Sequence, residues 1–228
     1  DDQCRFTDDT VLTAAIAEAI LSNRSYLTSV RKIGQRHPHA GYGASFIRWL
    51  HEENPQPYNS WGNGAAMRVS PVGFAFSTEA EVLDQAKKTA AITHNHPEGI
   101  KGAQATALAI FLARTGQSKK NIKARLSREF GYDLNRTIDA IRPSYTFDIS
   151  CQGTVPEAVI CFLEAASYED AVRNAVSLGG DSDTLACIAG GMAEAFFGGI
   201  PPEMQSRVEN LLTPDLWEIT QAFCEKYR

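Results

Sequence analysis

No pair of cysteines is spaced C-x-x-C, and the five present, at positions 4, 151, 161, 187 and 224, are odd in number. That excludes the usual zinc and disulfide frameworks and suits a reducing compartment, so the expected location is cytoplasmic. No apolar run approaches the roughly 20 residues that a membrane span requires, and no signal peptide is visible. Basic residues are not in excess: 22 Lys and Arg stand against 27 Asp and Glu, a formal charge of −5 that excludes a broad phosphate-tracking surface for nucleic acid. Any anionic ligand must be held locally. Strand patterning is scarce too, because Val, Ile and Thr seldom alternate with polar residues. An initiating methionine is lacking, the chain opening on Asp1-Asp2, and the expectation is that an N-terminal segment is missing.

What the sequence does hold is helical periodicity. Thr78 with Glu81 reads as a capping box, followed by Val82, Leu83, Ala86 and Ala90 on one face. Ser118 opens a second amphipathic helix carrying Ile122, Leu126 and Phe130, with Gly131 as its C-terminal cap. Residues 11–21 (apart from Glu18), 102–113 and 184–197 are apolar on nearly all sides, the pattern of helices enclosed by other helices. With 43% apolar residues in 228, one core suffices without staples, so a single all-α domain over residues 1–228 is expected, with central helices wrapped by amphipathic ones. Loops are expected at 37–43, 53–64 and 142–156, and Pro156 at the first turn of a helix over 157–166. The Lys119, Lys120, Lys123, Arg125, Arg128 cluster reads as a solvated helix face.

Two segments share a design that capping alone does not explain. Thr7-Asp8-Asp9-Thr10 precedes one apolar helix and Asp181-Ser182-Asp183-Thr184 precedes another. One cap needs one side chain, whereas surplus carboxylates at the end of a buried helix are costly unless something positive pairs them. Four carboxylates would balance two divalent cations, with Thr7 and Thr184 as neutral oxygen ligands, and oxygen-only ligation suits Mg²⁺, Mn²⁺ or Ca²⁺ rather than zinc.

Three further stretches stand out. Ser60-Trp61-Gly62-Asn63-Gly64 is a small-residue turn entering a helix, able to present backbone amides to phosphate and, through Trp61, a ring to a base; turns alone use the same residues. In Thr93-His94-Asn95-His96-Pro97, a helix-to-helix connection accounts for His96, and His94 reads as a hydrogen-bonding side chain. Cys151, in Cys151-Gln152-Gly153-Thr154-Val155-Pro156, has no partner histidine assignable from spacing and is a poor candidate nucleophile.

Taken in order, F-T-D-D-T, Y-N-S-W-G-N-G-A-A-M-R-V, T-H-N-H-P-E-G-I, G-T-V-P-E-A and G-G-D-S-D-T resemble the ADP-ribosylglycohydrolase family, from Phe6 to about Gly198. The resemblance implies an all-α domain with two Mg²⁺ (or Mn²⁺) ions at the base of a cleft that takes ADP-ribose. By position it makes Thr7, Asp8, Asp9, Asp181, Asp183 and Thr184 metal ligands, Asp9 with Asp8 the catalytic carboxylates, and Asp9 the group that orients the attacking water. Ser60, Gly62, Asn63 and Gly64 would hold the diphosphate, Trp61 would stack adenine, and His94 would lie near the distal ribose. The implied reaction hydrolyses the glycosidic bond between ADP-ribose and an acceptor, either a protein side chain such as arginine or serine or a small ADP-ribosyl conjugate. The acidic residue that the family supplies from an N-terminal segment has no match in these residues. The alternative is a catalytically impaired ADP-ribose-binding module of the same fold. A third reading takes D-S-D-T as a phosphatase D-x-D-x-T motif, which requires a β-strand just before Asp181.

Overall fold

The computed structural model describes residues 4–227. Its helices are α1 (Asp8–Ser22), α2 (Tyr26–Arg36), α3 (Ala44–His51), α4 (Gly64–Met67), α5 (Ser70–Ala75), α6 (Glu79–Ala91) and α7 (Pro97–Arg114). There follow α8 (Lys119–Phe130), α9 (Ile138–Ile141), α10 (Cys151–Glu164), α11 (Tyr168–Leu178), α12 (Ser182–Phe197), α13 (Pro202–Leu211) and α14 (Pro214–Tyr227). No strand occurs among the described residues, only an isolated antiparallel bridge between Gly62 and Ser150. The fold is all-α, as its periodicity implies.

Local chemistry sets several helix ends. The Thr78–Glu81 capping box is complete, each side chain serving the other's backbone amide. Ser118 accepts from Asn121 N, and Gly131 closes α8 at φ +69°, a conformation that disfavours residues with a Cβ. Burial on α6 and α8 follows one face, with Val82, Ala86 and Ala90 inside on the first and Ile122, Leu126 and Phe130 on the second. The uniformly apolar α7 is buried over most of its length and packs against α4, α5, α6, α8, α10 and α12. Alanine and glycine let these neighbours come close. A Cβ on Gly73 would stand 2.6 Å from the side chain of Ile110, and one on Gly102 would stand 2.4 Å from the Cys151 sulfur.

One boundary differs from expectation. The third loop ends at Ser150, whose hydroxyl accepts from Gly153 N, and α10 begins at Cys151, so Pro156 lies inside the helix and not at its first turn. A proline there forgoes the bond to Gln152, a cost offset by burial of Cys151, Val155, Val159 and Phe162 along the same helix. The phosphatase reading fails here as well. The segment before Asp181 is α11, with Gly179 and Gly180 after it, and not a strand.

Candidate active-site cleft

The starts of α1 and α12, distant in sequence, open onto one cavity of about 590 Å³ that Asp8, Asp9, Asp181, Asp183 and Thr184 line together. Thr7 and Asp181 occupy the N-cap positions of the two helices, yet neither side chain makes a capping bond. Thr7 Oγ1 instead donates to Asp9 Oδ2 (3.1 Å), and Asp181 Oδ2 accepts from Asn63 Nδ2 (2.7 Å). These acidic groups thus face the cavity and not their own helix ends. Only Asp9 is buried, at 5% exposure; Asp8 and Asp181 are half-buried and Asp183 is exposed.

Crowding of carboxylates shows in their proton affinity. Burial, followed by the charges of Asp183 and Asp8, pushes Asp9 up to about 7. Asp8 rises to about 6, chiefly through burial and then through Asp183 and Asp181, with a backbone hydrogen bond opposing. Asp181 is raised by burial and by Asp183, against the bond from Asn63. Asp9 Oδ1 is buried without a hydrogen-bond partner among the described residues. An orphaned oxygen among repelling carboxylates fits a cation in kind. Among the described residues no three His, Cys, Asp or Glu side chains are yet drawn into a closed ligand group.

Helix α4 is clasped between the same two helices. Thr13 of α1 and Cys187 of α12 both donate to the Met67 carbonyl (3.3 and 3.1 Å), and Thr184 Oγ1 lies 3.9 Å from the Met67 sulfur. The turn leading into α4 therefore sits directly over the acidic floor. Two of the amides it was expected to offer are already bonded, Gly62 N to Ser60 Oγ (3.1 Å) and Asn63 N to Ile149 O (2.8 Å). Asn63 faces inward, its amide group spanning Thr154 Oγ1 (3.1 Å) and Asp181 Oδ2. On the rim Trp61 is 45% exposed, and Phe147 (68%) and Ile149 (50%) also stand out. All three line the cavity and give a polar cleft an apolar lip.

His94 is buried beside this turn, and burial together with the charge of Arg68 holds it well below the usual imidazole range, so it is neutral. Arg68 is wholly buried. Its Nη2 donates to Thr89 O (2.9 Å) and Thr93 Oγ1 (2.7 Å), while Nε and Nη1 have no partner, and burial pushes the guanidinium down to about 10. His96 caps α7, with Nδ1 accepting from Glu98 N. Cys151 is buried, its thiol raised to about 12 by burial and its sulfur 3.1 Å from Gly62 O, so it is no nucleophile. Sequence reasoning singled out neither Arg68, nor Thr93, nor Phe147 as a site residue. A basic or apolar residue inside a motif carries no local sign of which way it faces.

Fold and cleft together define an all-α domain with a carboxylate-floored cavity at the starts of two helices. Residues 3–228 match the model of the family described as ADP-ribosylglycohydrolase, and the chain belongs to that family. It is 26% identical to human ADP-ribosylhydrolase ARH3 over 277 residues, covering 92% of this chain and 76% of that protein. It is 24% identical to the ADP-ribosylarginine hydrolase Tri1 of Pseudomonas putida over 247 residues, covering 89% and 62%. A solved structure described as an ADP-ribosylglycohydrolase-related protein complex shares the fold, with a TM-score of 0.74 at 24% identity over 97% of this chain and 82% of that one. No helix among the described residues is long and apolar enough to cross a membrane.

Proposed function

We propose that the chain hydrolyses the glycosidic bond that joins ADP-ribose to an acceptor, using divalent cations held by Asp8, Asp9, Asp181 and Asp183 with Thr7 and Thr184. The observation that carries this is the convergence of two carboxylate-bearing helix starts on one cavity, in which Asp8 and Asp9 are raised by burial and by neighbouring carboxylates and Asp9 Oδ1 lacks a partner among the described residues. A cavity of about 590 Å³ lies within the size range of small-molecule sites. Family membership and the names of the relatives support ADP-ribose as the group removed.

When bound, divalent cations such as Mg²⁺ or Mn²⁺ supply charge stabilisation for ribose hydroxyls and for the departing acceptor. The chain's own groups do the rest. Asp9, which lines the cavity, would accept a hydrogen bond from water through a carboxylate oxygen not engaged by a cation and orient that water toward the anomeric carbon, taking its proton as the bond to the acceptor breaks. Asn63 fixes Asp181 from the side of the turn, and Thr7 fixes Asp9. Trp61 offers a flat apolar surface for adenine, with the diphosphate against Ser60 to Gly64, where the Ser60 hydroxyl accepts from Gly62 N and can donate its proton to the ligand.

The test is release of free ADP-ribose from ADP-ribosylated arginine, serine and small conjugates, with Mg²⁺ or with EDTA. Magnesium-dependent release from at least one substrate is expected. Tight ADP-ribose binding with no release from any substrate would identify a binding module instead.

A further inference from the structure

A buried arginine with two unpartnered nitrogens needs a reason to be there. Among its polar neighbours is Thr93, whose Oγ1 accepts from Arg68 Nη2 at 2.7 Å and lies 2.7 Å from His94 Nδ1, with the Tyr58 hydroxyl also in hydrogen-bonding reach of Thr93. Thr93 is fully buried, so leaving its hydroxyl proton unpaired would be costly. With the oxygen engaged by a cation, the hydroxyl proton turns away from Arg68, toward the two acceptors within reach, His94 Nδ1 and the Tyr58 hydroxyl; Nδ1 receives it when the Tyr58 hydroxyl acts as donor. A neutral imidazole that accepts at one nitrogen carries its proton on the other. That other nitrogen, Nε2, has no hydrogen-bond partner among the described residues, and it lies beside the glycine turn of the cleft. A Cβ would sit 3.1 Å from it on Gly64 and 3.5 Å from it on Gly62.

We infer that Arg68 and Thr93 are positioning residues that hold His94 in the tautomer protonated at Nε2, so that it presents a fixed hydrogen-bond donor to an acceptor oxygen of the substrate. His94 is then neither a general base nor a metal ligand. Either role needs a lone pair on the nitrogen that faces the cleft, and that lone pair is replaced by N–H. The buried guanidinium acts through Thr93: burial and its charge together keep the imidazole neutral, and its bond to Thr93 sets which way that hydroxyl points. The oxygen that receives the bond belongs to the ADP-ribosyl group, an assignment that rests on the function proposed above.

The experiment measures tautomer and affinity separately. In the full chain labelled with ¹⁵N-histidine, the two ring nitrogens of His94, assigned by their loss in His94→Gln, should appear as an unprotonated Nδ1 and a protonated Nε2 in the absence of any ligand. A protonated Nδ1 in the unmodified chain overturns the inference without recourse to any variant. Thr93→Val should abolish the single tautomer and weaken ADP-ribose binding about tenfold, the scale of one hydrogen bond. Thr93→Ser should restore both. Unchanged affinity in a folded Thr93→Val that has lost the tautomer would show that the donor is not used, and also overturns the inference. If the unmodified chain has the expected tautomer but does not bind ADP-ribose, the substrate assignment fails while the relay stands.

Discussion

Replacing Asp9 by asparagine should stabilise the metal-free protein, and do so more as the pH rises. Asp9 is buried, and burial with the charges of Asp183 and Asp8 lifts it from 3.8 to about 7. A shift of roughly 3 units corresponds to about 4 kcal/mol. Because the folded state binds this proton more tightly than the unfolded chain does, stability falls as pH rises from about 4 through 7, and the full penalty is present at pH 8. Asparagine keeps the shape, and its carbonyl still accepts from Thr7, but it carries no charge. Unfolding followed in EDTA between pH 4.5 and 8 should therefore give nearly equal midpoints at the acid end. At the alkaline end the variant should lead by a difference on the order of 10 °C, given about 2 to 4 °C per kcal/mol for a domain of this size. Mg²⁺ should raise the wild-type midpoint more than that of the variant, because a bound cation removes the repulsion that the substitution has already relieved. A variant that is equally or less stable at pH 8 in EDTA, or a gap independent of pH, would refute this account of the acidic floor.

Asp183→Asn, at an exposed position, should lower turnover and magnesium affinity without lowering the melting temperature, read by ADP-ribose release and by thermal denaturation. Trp61→Ala should weaken ADP-ribose binding by about 1 to 3 kcal/mol in isothermal titration, the range for stacking of bases on aromatic side chains. Gly64→Ala should weaken the same binding about tenfold with the helical circular dichroism intact, since the added methyl stands 3.1 Å from the nitrogen that His94 offers. Thiol reagents should modify exposed Cys4 in the native protein, but Cys151 and Cys161 only on unfolding, because both are buried with thiols raised to about 12.

The helix ends that were legible in the sequence are those governed by neighbouring side chains. Thr78 with Glu81, and Ser118 with Gly131, announce themselves within a few residues. The start of α10 was misjudged because Gly153 and Pro156 signal a loop, while the cap that decides the matter, Ser150, is one hydroxyl among many. In the cleft, doubled carboxylates at two helix starts were visible as an anomaly of charge. That the two starts meet is a fact of tertiary packing, which spacing does not encode. Their burial is partial, since Asp8 and Asp181 are half-buried, Asp183 is exposed and only Asp9 is buried. Arg68 was the least legible of all. A basic residue after Ala65, Ala66 and Met67 looks like the polar end of a short helix, and only the packing of Thr89 and Thr93 against it shows that it lies inside.

The short antiparallel contact between the two rim loops has a consequence for how a ligand is met. Cys151 N donates to Trp61 O (3.0 Å) and Asn63 N to Ile149 O (2.8 Å), so the segment bearing Trp61 is sutured on both sides to the segment bearing Ile149. The first of these loops leads into α4, which both buried helices grip, and the second runs into the capped start of α10. The indole therefore rests on backbone that is already ordered, and little conformational entropy remains to be lost when a ring stacks on it. On the proposed function, such a rim would discriminate by fit and not by closing around its guest. A change in nucleobase preference would then call for remodelling both loops together, because a substitution in one is transmitted through two backbone hydrogen bonds to the other.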